Sequence, residues 1–341
     1  MTRKKRVTLR DVARVAGVSP TAVSFAYNAP HQLSQATRER ILETAAELGY
    51  QPHPVARTLA TGKTNTIGLV IPARLNWVLN DPLFRIFLGE IGAVCDEHKR
   101  RILLVPAGGD VSPGALATIA ADGFLLVAIH RTHPLAKAIE RSPRPLVLVD
   151  SDEVFQTPLF NVDDVGGAYQ AATYLLEKGH RQIAVSTLGP RPDGVIVPVF
   201  ERRLAGYRQA VADAGLPPET LQVVHTRGLL SAGAESFAKI WALEPRPTAV
   251  LCASDVRALG ILQGARQAGV SVPEELAVVG FDGIPESAVS FPPLTTVYHD
   301  MVARSRLAIQ TLIDLIDERL DEGDVQTPFV SPTTMLIRES A

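Results

Sequence analysis

The sequence predicts a two-part chain. Residues 1–51 form an all-α helix-turn-helix head, and an α/β body built as two Rossmann-like lobes follows. Three observations carry this expectation. Two short, capped helical segments meet at Gly17. From Thr66 onward, strand-like apolar runs alternate with helical stretches. The formal charge of −2 hides +6 over residues 1–63 and −8 over the remainder, a basic head on an acidic body.

In the head, Thr8 followed by Asp11 has capping-box spacing, and Leu9, Val12, Ala13 and Ala16 then mark an apolar helical face. Gly17 is expected to stop this helix, since glycine takes positive φ without steric cost. Val18 fills the corner. Ser19 caps a second helix with Pro20 at its first position, where a missing N–H costs nothing. Val23 and Ala26 define its buried side, leaving Thr21, Ala22, Ser24, Phe25 and Asn28 near the other. Ser34 caps a third helix that runs through Ile41, Leu42, Ala45 and Leu48 and stops at Gly49. A basic arm (Arg3 to Arg6) and short polar side chains at the start of the second helix suit close approach to a nucleic-acid groove, so the head reads as a DNA-binding unit. A small helical bundle that binds nothing is the alternative.

The stretches VTLRDVARVAGVSPTAVSFAYN and LSQATRERILETAAELGYQPHPVARTLATGKTNTIGLVIP resemble the lac repressor/galactose repressor family, and the resemblance extends over nearly all of the chain. It implies that Ser19 to Asn28 are the recognition helix in the major groove, with Thr21, Ala22 and Phe25 at positions facing base edges. Thr8, Leu9, Ser19, Ser24, Asn28, Ser34 and Thr37 fall on the rest of the family's DNA-contacting surface, where contacts to phosphate and sugar set register. The family often has a basic residue at the position of Phe25. A phenyl ring packs on a thymine methyl but cannot donate to guanine, so a different operator preference is expected, unless Phe25 is a core residue. His53 to Thr61 resemble the family's hinge helix, which the same resemblance places in the minor groove with His53, Ala56 and Leu59 at the DNA and Leu59 as the wedge. Alone, this segment is too short for a stable helix, so without operator a flexible linker is expected. The resemblance divides the chain into a head (1–51), a hinge and linker (52–64) and an effector domain (65–341), with lobes at about 65–162 plus 293–326 and about 163–292 plus 327–341.

In the body, apolar runs at Ile67–Ile71, Ile102–Val105, Phe124–Ala128, Leu146–Val149, Ile183–Val185, Val223–Val224, Ala249–Cys252 and Leu276–Gly280 are too many for one sheet. NVDDVGGAYQAATYLLEKGHRQIAV and ERRLAGYRQAVADAGLP resemble the family's effector domain, a periplasmic-binding-protein-like core in which the chain crosses between lobes three times. Ligands in such sheets bind beyond the carboxyl ends of strands. Asp150, Ser254 and Asp282 fall there on spacing alone, and Arg203 is expected to begin a helix after a Gly/Pro loop. The resemblance gives Asp150, Arg203 and Asp282 to the effector, while capping of the next helix is the alternative for both aspartates. Carboxylates and a guanidinium suit a polyhydroxylated ligand, a sugar or related metabolite. Ser254 stands where the family commonly has Asn, and Ser151 and Leu230 where many members place an aromatic platform. Trp77 or Phe84 is offered as a replacement platform, with packing as the alternative.

Other classes find little support. Gly108-Gly109-Asp110 with Gly114 is neither a dinucleotide fingerprint nor a P-loop, no Gly-x-Ser-x-Gly elbow occurs, and His130 and His133 lack a third metal ligand. No enzyme activity, cofactor or metal is expected. Cys95 and Cys252 read as buried, reduced filler. With no export signal or membrane span, a cytoplasmic protein is expected. A solute carrier for sugars is the runner-up for the body, but it would lack this head. A repressor that binds a palindromic operator as a homodimer is expected. Helices 84–98 and 255–268 resemble the family's subunit contacts, and no C-terminal heptads suggest a tetramer.

Overall fold

A computed structural model describes residues 7–51, 58, 62–71, 73, 75–107, 114–153, 157–190, 197–226, 233–325 and 327–341. The chain divides into two compact units, Met1–Asn65 and Thr66–Ala341.

The first unit contains α1 (Leu9–Ala16), α2 (Pro20–Asn28) and α3 (Gln35–Glu47). The Thr8–Asp11 box closes in both directions: the Thr8 amide donates to Asp11 at 3.0 Å, and the Asp11 amide donates to the Thr8 hydroxyl at 3.4 Å. Gly17 turns the chain at φ +68°, where a Cβ would be strained. Ser19 accepts from the Ala22 amide at 3.0 Å and Ser34 from the Thr37 amide at 3.3 Å, so each helix starts on the cap its sequence predicts. Val12, Ala13, Ala16, Val23, Ala26, Ile41 and Ala45 close into one small core.

The second unit holds two six-stranded sheets. The first contains β1 (Thr66–Ile71), β2 (Arg101–Pro106), β3 (Gly123–Val127), β4 (Leu146–Val149), β5 (Leu159–Val162) and β11 (Phe329–Ser331), in the order β11-β5-β4-β3-β1-β2 and parallel throughout. The second contains β6 (Ile183–Thr187), β7 (Leu221–His225), β8 (Ala249–Cys252), β9 (Ala277–Asp282), β10 (Thr295–His299) and β12 (Thr333–Leu336), in the order β12-β10-β9-β8-β6-β7, with β12 antiparallel to β10. Side chains alternate between faces along each strand. Ile67, Leu69 and Ile71 enter one core with Val147 and Val149, whereas Val70 enters another with Leu146 and Leu148. Each sheet is thereby covered on both faces, the condition that makes parallel strands read as continuous apolar runs.

All eight apolar runs lie on strands. The sequence reading did not single out β5, β10, β11 or β12. Asn161 interrupts the first, Thr and His dilute the second, and the last two are short edge strands. The chain passes between the sheets after β5, after β10 and between β11 and β12.

The helices that position the cleft are α4 (Pro82–Glu97), α5 (Asp164–Glu177), α6 (Pro198–Asp213), α7 (Gly233–Trp241), α8 (Asp255–Ala268) and α9 (Met301–Ile316). Arg203 does not begin its helix, because α6 starts at Pro198 and Arg203 lies in its second turn. Gly206, one turn further on, faces α5 so closely that a Cβ would sit 2.2 Å from the Val165 carbonyl oxygen. That approach brings the arginines of α6 onto Asp164 at the start of α5.

Candidate functional site

On the head, the expected DNA-facing residues separate into two groups. Thr8, Ser19, Thr21 and Ser34 are exposed. Leu9 and Ala22 are half-buried and pack against the head core, so the short Ala22 side chain serves packing as well as clearance. Phe25 is half-buried and is not among the residues packed on that core, which takes support from the core alternative. Ser24 accepts from the Asn28 amide group at 3.3 Å, one turn along the same side of α2, while Ser34 and Thr37 share a hydroxyl–hydroxyl bond of 2.8 Å. These bonds fix the directions of the four side chains. His53, Ala56 and Leu59 lie outside the described residues.

In the body, Asp150 and Asp282 sit at the carboxyl ends of β4 and β9, and both have positive φ, +53° and +121°. Non-glycine residues are strained there, and such strain concentrates at binding sites. Neither aspartate caps a helix. Asp150 pairs through both oxygens with Arg304 of α9, one bond being 3.1 Å. Burial opposes its charge, but Arg304 together with Arg202 and His299 outweighs burial and holds its pKa below the ordinary carboxylate value. Asp282 accepts from Arg203 at 2.9 Å, with the His299 ring nitrogen 3.7 Å away.

Arg203 is the hub. Its Nε donates to Asp164 at 2.8 Å and its Nη1 to the Ala253 carbonyl at 2.7 Å, and its guanidinium lies 3.7 Å from the centre of the Phe281 ring. Burial works against the charge, yet Asp282 and Asp164 together raise its pKa above the usual guanidinium value. Arg202 also serves Asp164, at 3.0 Å, and reaches across to the Ser151 carbonyl of the first lobe at 3.3 Å. Asp81, capping α4 from the first lobe, is pushed up to about 6 by burial and by Asp282. The two lobes thus present charges to each other.

The remaining predicted residues are placed as follows. Ser254 is the N-cap of α8 but makes no side-chain capping bond. Ser151 is fully buried and structural, its hydroxyl accepting from the Ile129 amide at 2.9 Å and donating to the Val149 carbonyl at 3.0 Å. Phe84 is 8% exposed and packs on Phe87 within the first lobe's core, so packing is what its surroundings show. Leu230 and the Trp77 side chain lie outside the described residues. Sequence reasoning missed Asp81, Asp164, Arg202 and Arg304. The pair Arg202-Arg203 was a local signal, whereas Arg304 meets Asp150 across 154 positions and left none.

Residues 8–53 match the model of the bacterial regulatory proteins of the lacI family, and residues 172–341 match the periplasmic binding protein-like domain. The transcriptional regulator CelR of Thermobifida fusca is 31% identical over 351 residues, covering 100% of both chains. This chain belongs to the LacI family. As a LacI-family member it is a DNA-binding transcriptional regulator rather than an enzyme. A solved CelR–cellobiose complex is 29% identical with a TM-score of 0.70, covering 98% of this chain and 100% of that one. The lac repressor dimer bound to operator and an anti-inducer is 24% identical with a TM-score of 0.80, covering 98% and 99%, and it shares the fold. Among the described residues, no group of acidic, His and Cys side chains is arranged to hold a metal, and no helix is long and apolar enough to cross a membrane.

Proposed function

We propose that this LacI-family regulator is a cytoplasmic repressor that binds a palindromic operator as a homodimer and is switched by a polyhydroxylated small molecule, a sugar or close relative, taken between the lobes. One observation carries the effector assignment. Asp150 and Asp282, both strained and both at carboxyl ends of strands, are gripped by Arg304 and Arg203 instead of capping helices. Carboxylates oriented in this way accept paired hydrogen bonds from neighbouring hydroxyls. Ser254 adds a hydroxyl at the same rim. The cellobiose complex of CelR supports a saccharide over other polyols. The carrier reading of the body is not favoured, because the head matches a regulator's.

For the dimer, α4 and the exposed end of α8 are the proposed contacts. Val289 and Phe291, 83% and 81% exposed, are the most exposed large apolar residues described, and Arg266 of α8 lies 6.0 Å from the Phe291 ring. On the DNA side we assign Thr21 and Phe25 to base edges and Thr8, Ser24, Asn28, Ser34 and Thr37 to the backbone, with the Leu59 wedge as the family arrangement has it.

The test begins with selection of bound duplexes from a random library and a gel shift of the selected operator with and without a panel of sugars. A sugar that changes operator affinity should lose its effect in Asp282→Asn. Unchanged response in that variant would refute the cleft assignment. Operator affinity unaltered by Leu59→Ala would refute the wedge.

A further inference from the structure

Among the described residues, four arginines are less than a tenth exposed: Arg100, Arg203, Arg257 and Arg304. Three are neutralised. Arg100 pairs with Asp122 and Asp317, Arg203 with Asp164 and Asp282, and Arg304 with Asp150. Arg257 has no carboxylate at ion-pair distance among the described residues. Its Nη1 donates to the Thr226 hydroxyl at 2.6 Å and to the Thr226 carbonyl at 3.1 Å, and its guanidinium lies 5.6 Å from the centre of the Phe200 ring. An uncompensated buried charge is costly, and a fold that keeps one normally gives it a partner.

Its location says where that partner comes from. Arg257 is in the first turn of α8, just beyond β8. Thr226 follows β7, and Phe200 is in the first turn of α6. All three stand on the carboxyl-end rim where ligands of such sheets bind. Burial brings the Arg257 pKa down to about 10, and Cys252 and, from the opposite lobe, Asp81 act against that fall, so the side chain is a cation at neutral pH and is felt across the cleft. Among the described residues no neighbouring acid pairs with it, and Asp81 acts on it from across the cleft without an ion pair. Asp164, Asp282 and Asp150 are engaged, and Asp152 pairs with Arg131 at 3.3 Å. Burial and Asp282 raise Asp255 well above the carboxylate range, favouring its neutral form.

We propose that Arg257 anchors an anionic substituent, a carboxylate or phosphoryl group, on the effector. The ligand class is thereby narrowed from neutral sugars to sugar acids or sugar phosphates. This rests on the cleft being the effector site. A guanidinium suits both groups because its planar fork donates two parallel bonds to two oxygens.

The experiment uses the full-length protein in thermal-shift and calorimetric titrations at fixed ionic strength. Matched sets are glucose, glucuronate and glucose 6-phosphate, galactose and galacturonate, and ribose and ribose 5-phosphate. Inorganic phosphate and sulfate, each against chloride, serve as minimal probes. We expect phosphate or sulfate to raise the Tm of the wild type where chloride does not, and an acid or phosphate ester to bind about tenfold or more tighter than its neutral parent. The carboxylate and phosphoryl arms identify which group is taken. Arg257→Gln should abolish the anion response and Arg257→Lys should retain part of it, which separates lost charge from lost folding. No anion response in the wild type, or an undiminished one in Arg257→Gln, overturns the proposal. Neutral sugars binding without any anion preference would overturn it while leaving the cleft assignment standing. That assignment fails separately, if Asp282→Asn binds every responding ligand as the wild type does.

Discussion

Replacing Asp81 by Asn should stabilise the protein at neutral pH, although it removes a negative charge from a helix N-terminus. Asp81 caps α4 by accepting from the Leu83 amide at 2.9 Å, a bond that an asparagine oxygen also accepts. What changes is the cost of ionisation. Burial, and then Asp282 on the facing lobe, lift this carboxyl from 3.8 to about 6. A rise of about two units corresponds to about 3 kcal/mol. Because the folded-state pKa is the higher one, the stabilising contribution is complete below about pH 4 and is lost as pH rises through about 6. Asp81→Asn should therefore match the wild type near pH 4 and exceed it by up to about 3 kcal/mol near pH 7. Urea unfolding followed by tryptophan fluorescence measures this, since both tryptophans, Trp77 and Trp241, belong to the unit Thr66–Ala341. Taking the difference between variant and wild type cancels the contributions of Asp150, whose lowered pKa has the opposite sign, and of Asp255. Parallel stability curves from about pH 4 to 7.5 would refute the argument.

Arg203→Met keeps bulk over the Phe281 ring but leaves Asp282 without a cation in hydrogen-bond contact. We expect a loss of about 3–5 kcal/mol in the same unfolding assay, part of it recovered in the double variant with Asp282→Asn. Phe25→Arg should move the selected operator toward guanine at the contacted step, by about 1–3 kcal/mol of discrimination, and an unchanged selected sequence would count against a base-facing Phe25. Phe291→Asp should weaken self-association by about 2 kcal/mol or more per copy, read by sedimentation at low concentration, and an unaltered dissociation constant would place the dimer contact elsewhere.

How much was legible in the sequence depends on how local the determining interactions are. Each head helix starts on a side chain that bonds an amide three residues ahead, so Thr8, Ser19 and Ser34 announced their own roles. Inner strands such as β1, β3, β4, β6, β8 and β9 announced themselves through apolar runs, whereas the inner strands β5 and β10 were obscured by Asn161 and by threonines and a histidine. The edge strands β11 and β12 carry polar residues on a half-solvated surface and lack that signal. In the cleft, the three polar positions at strand ends were legible from topology. What those residues bond to was not, because Arg304 reaches Asp150 from the other end of the body's sequence and Arg203 gathers Asp164 and Asp282 from two different elements.

The same long-range network bears on how a ligand moves this molecule between states. Two of the contacts that join the lobes at the cleft are modest. Arg202 donates to the Ser151 carbonyl at 3.3 Å, and Arg85 meets Glu286 at 3.6 Å with both side chains about half exposed, an arrangement worth roughly 0–1 kcal/mol. Against them stands the repulsion between Asp81 and Asp282, which lifts the Asp81 pKa. Attraction and repulsion therefore both act across the cleft, since Asp81 faces Asp282 but also Arg203 and Arg257. A ligand shifts such a balance only by bonding one arrangement better than the other. One that engages Asp282 and Arg257 on the second lobe and Asp150 on the first does so, because those groups belong to different lobes and a single molecule spans them only when the lobes stand at one separation. Its affinity difference between the two arrangements then sets how far the equilibrium moves, which is the physical condition for a switch.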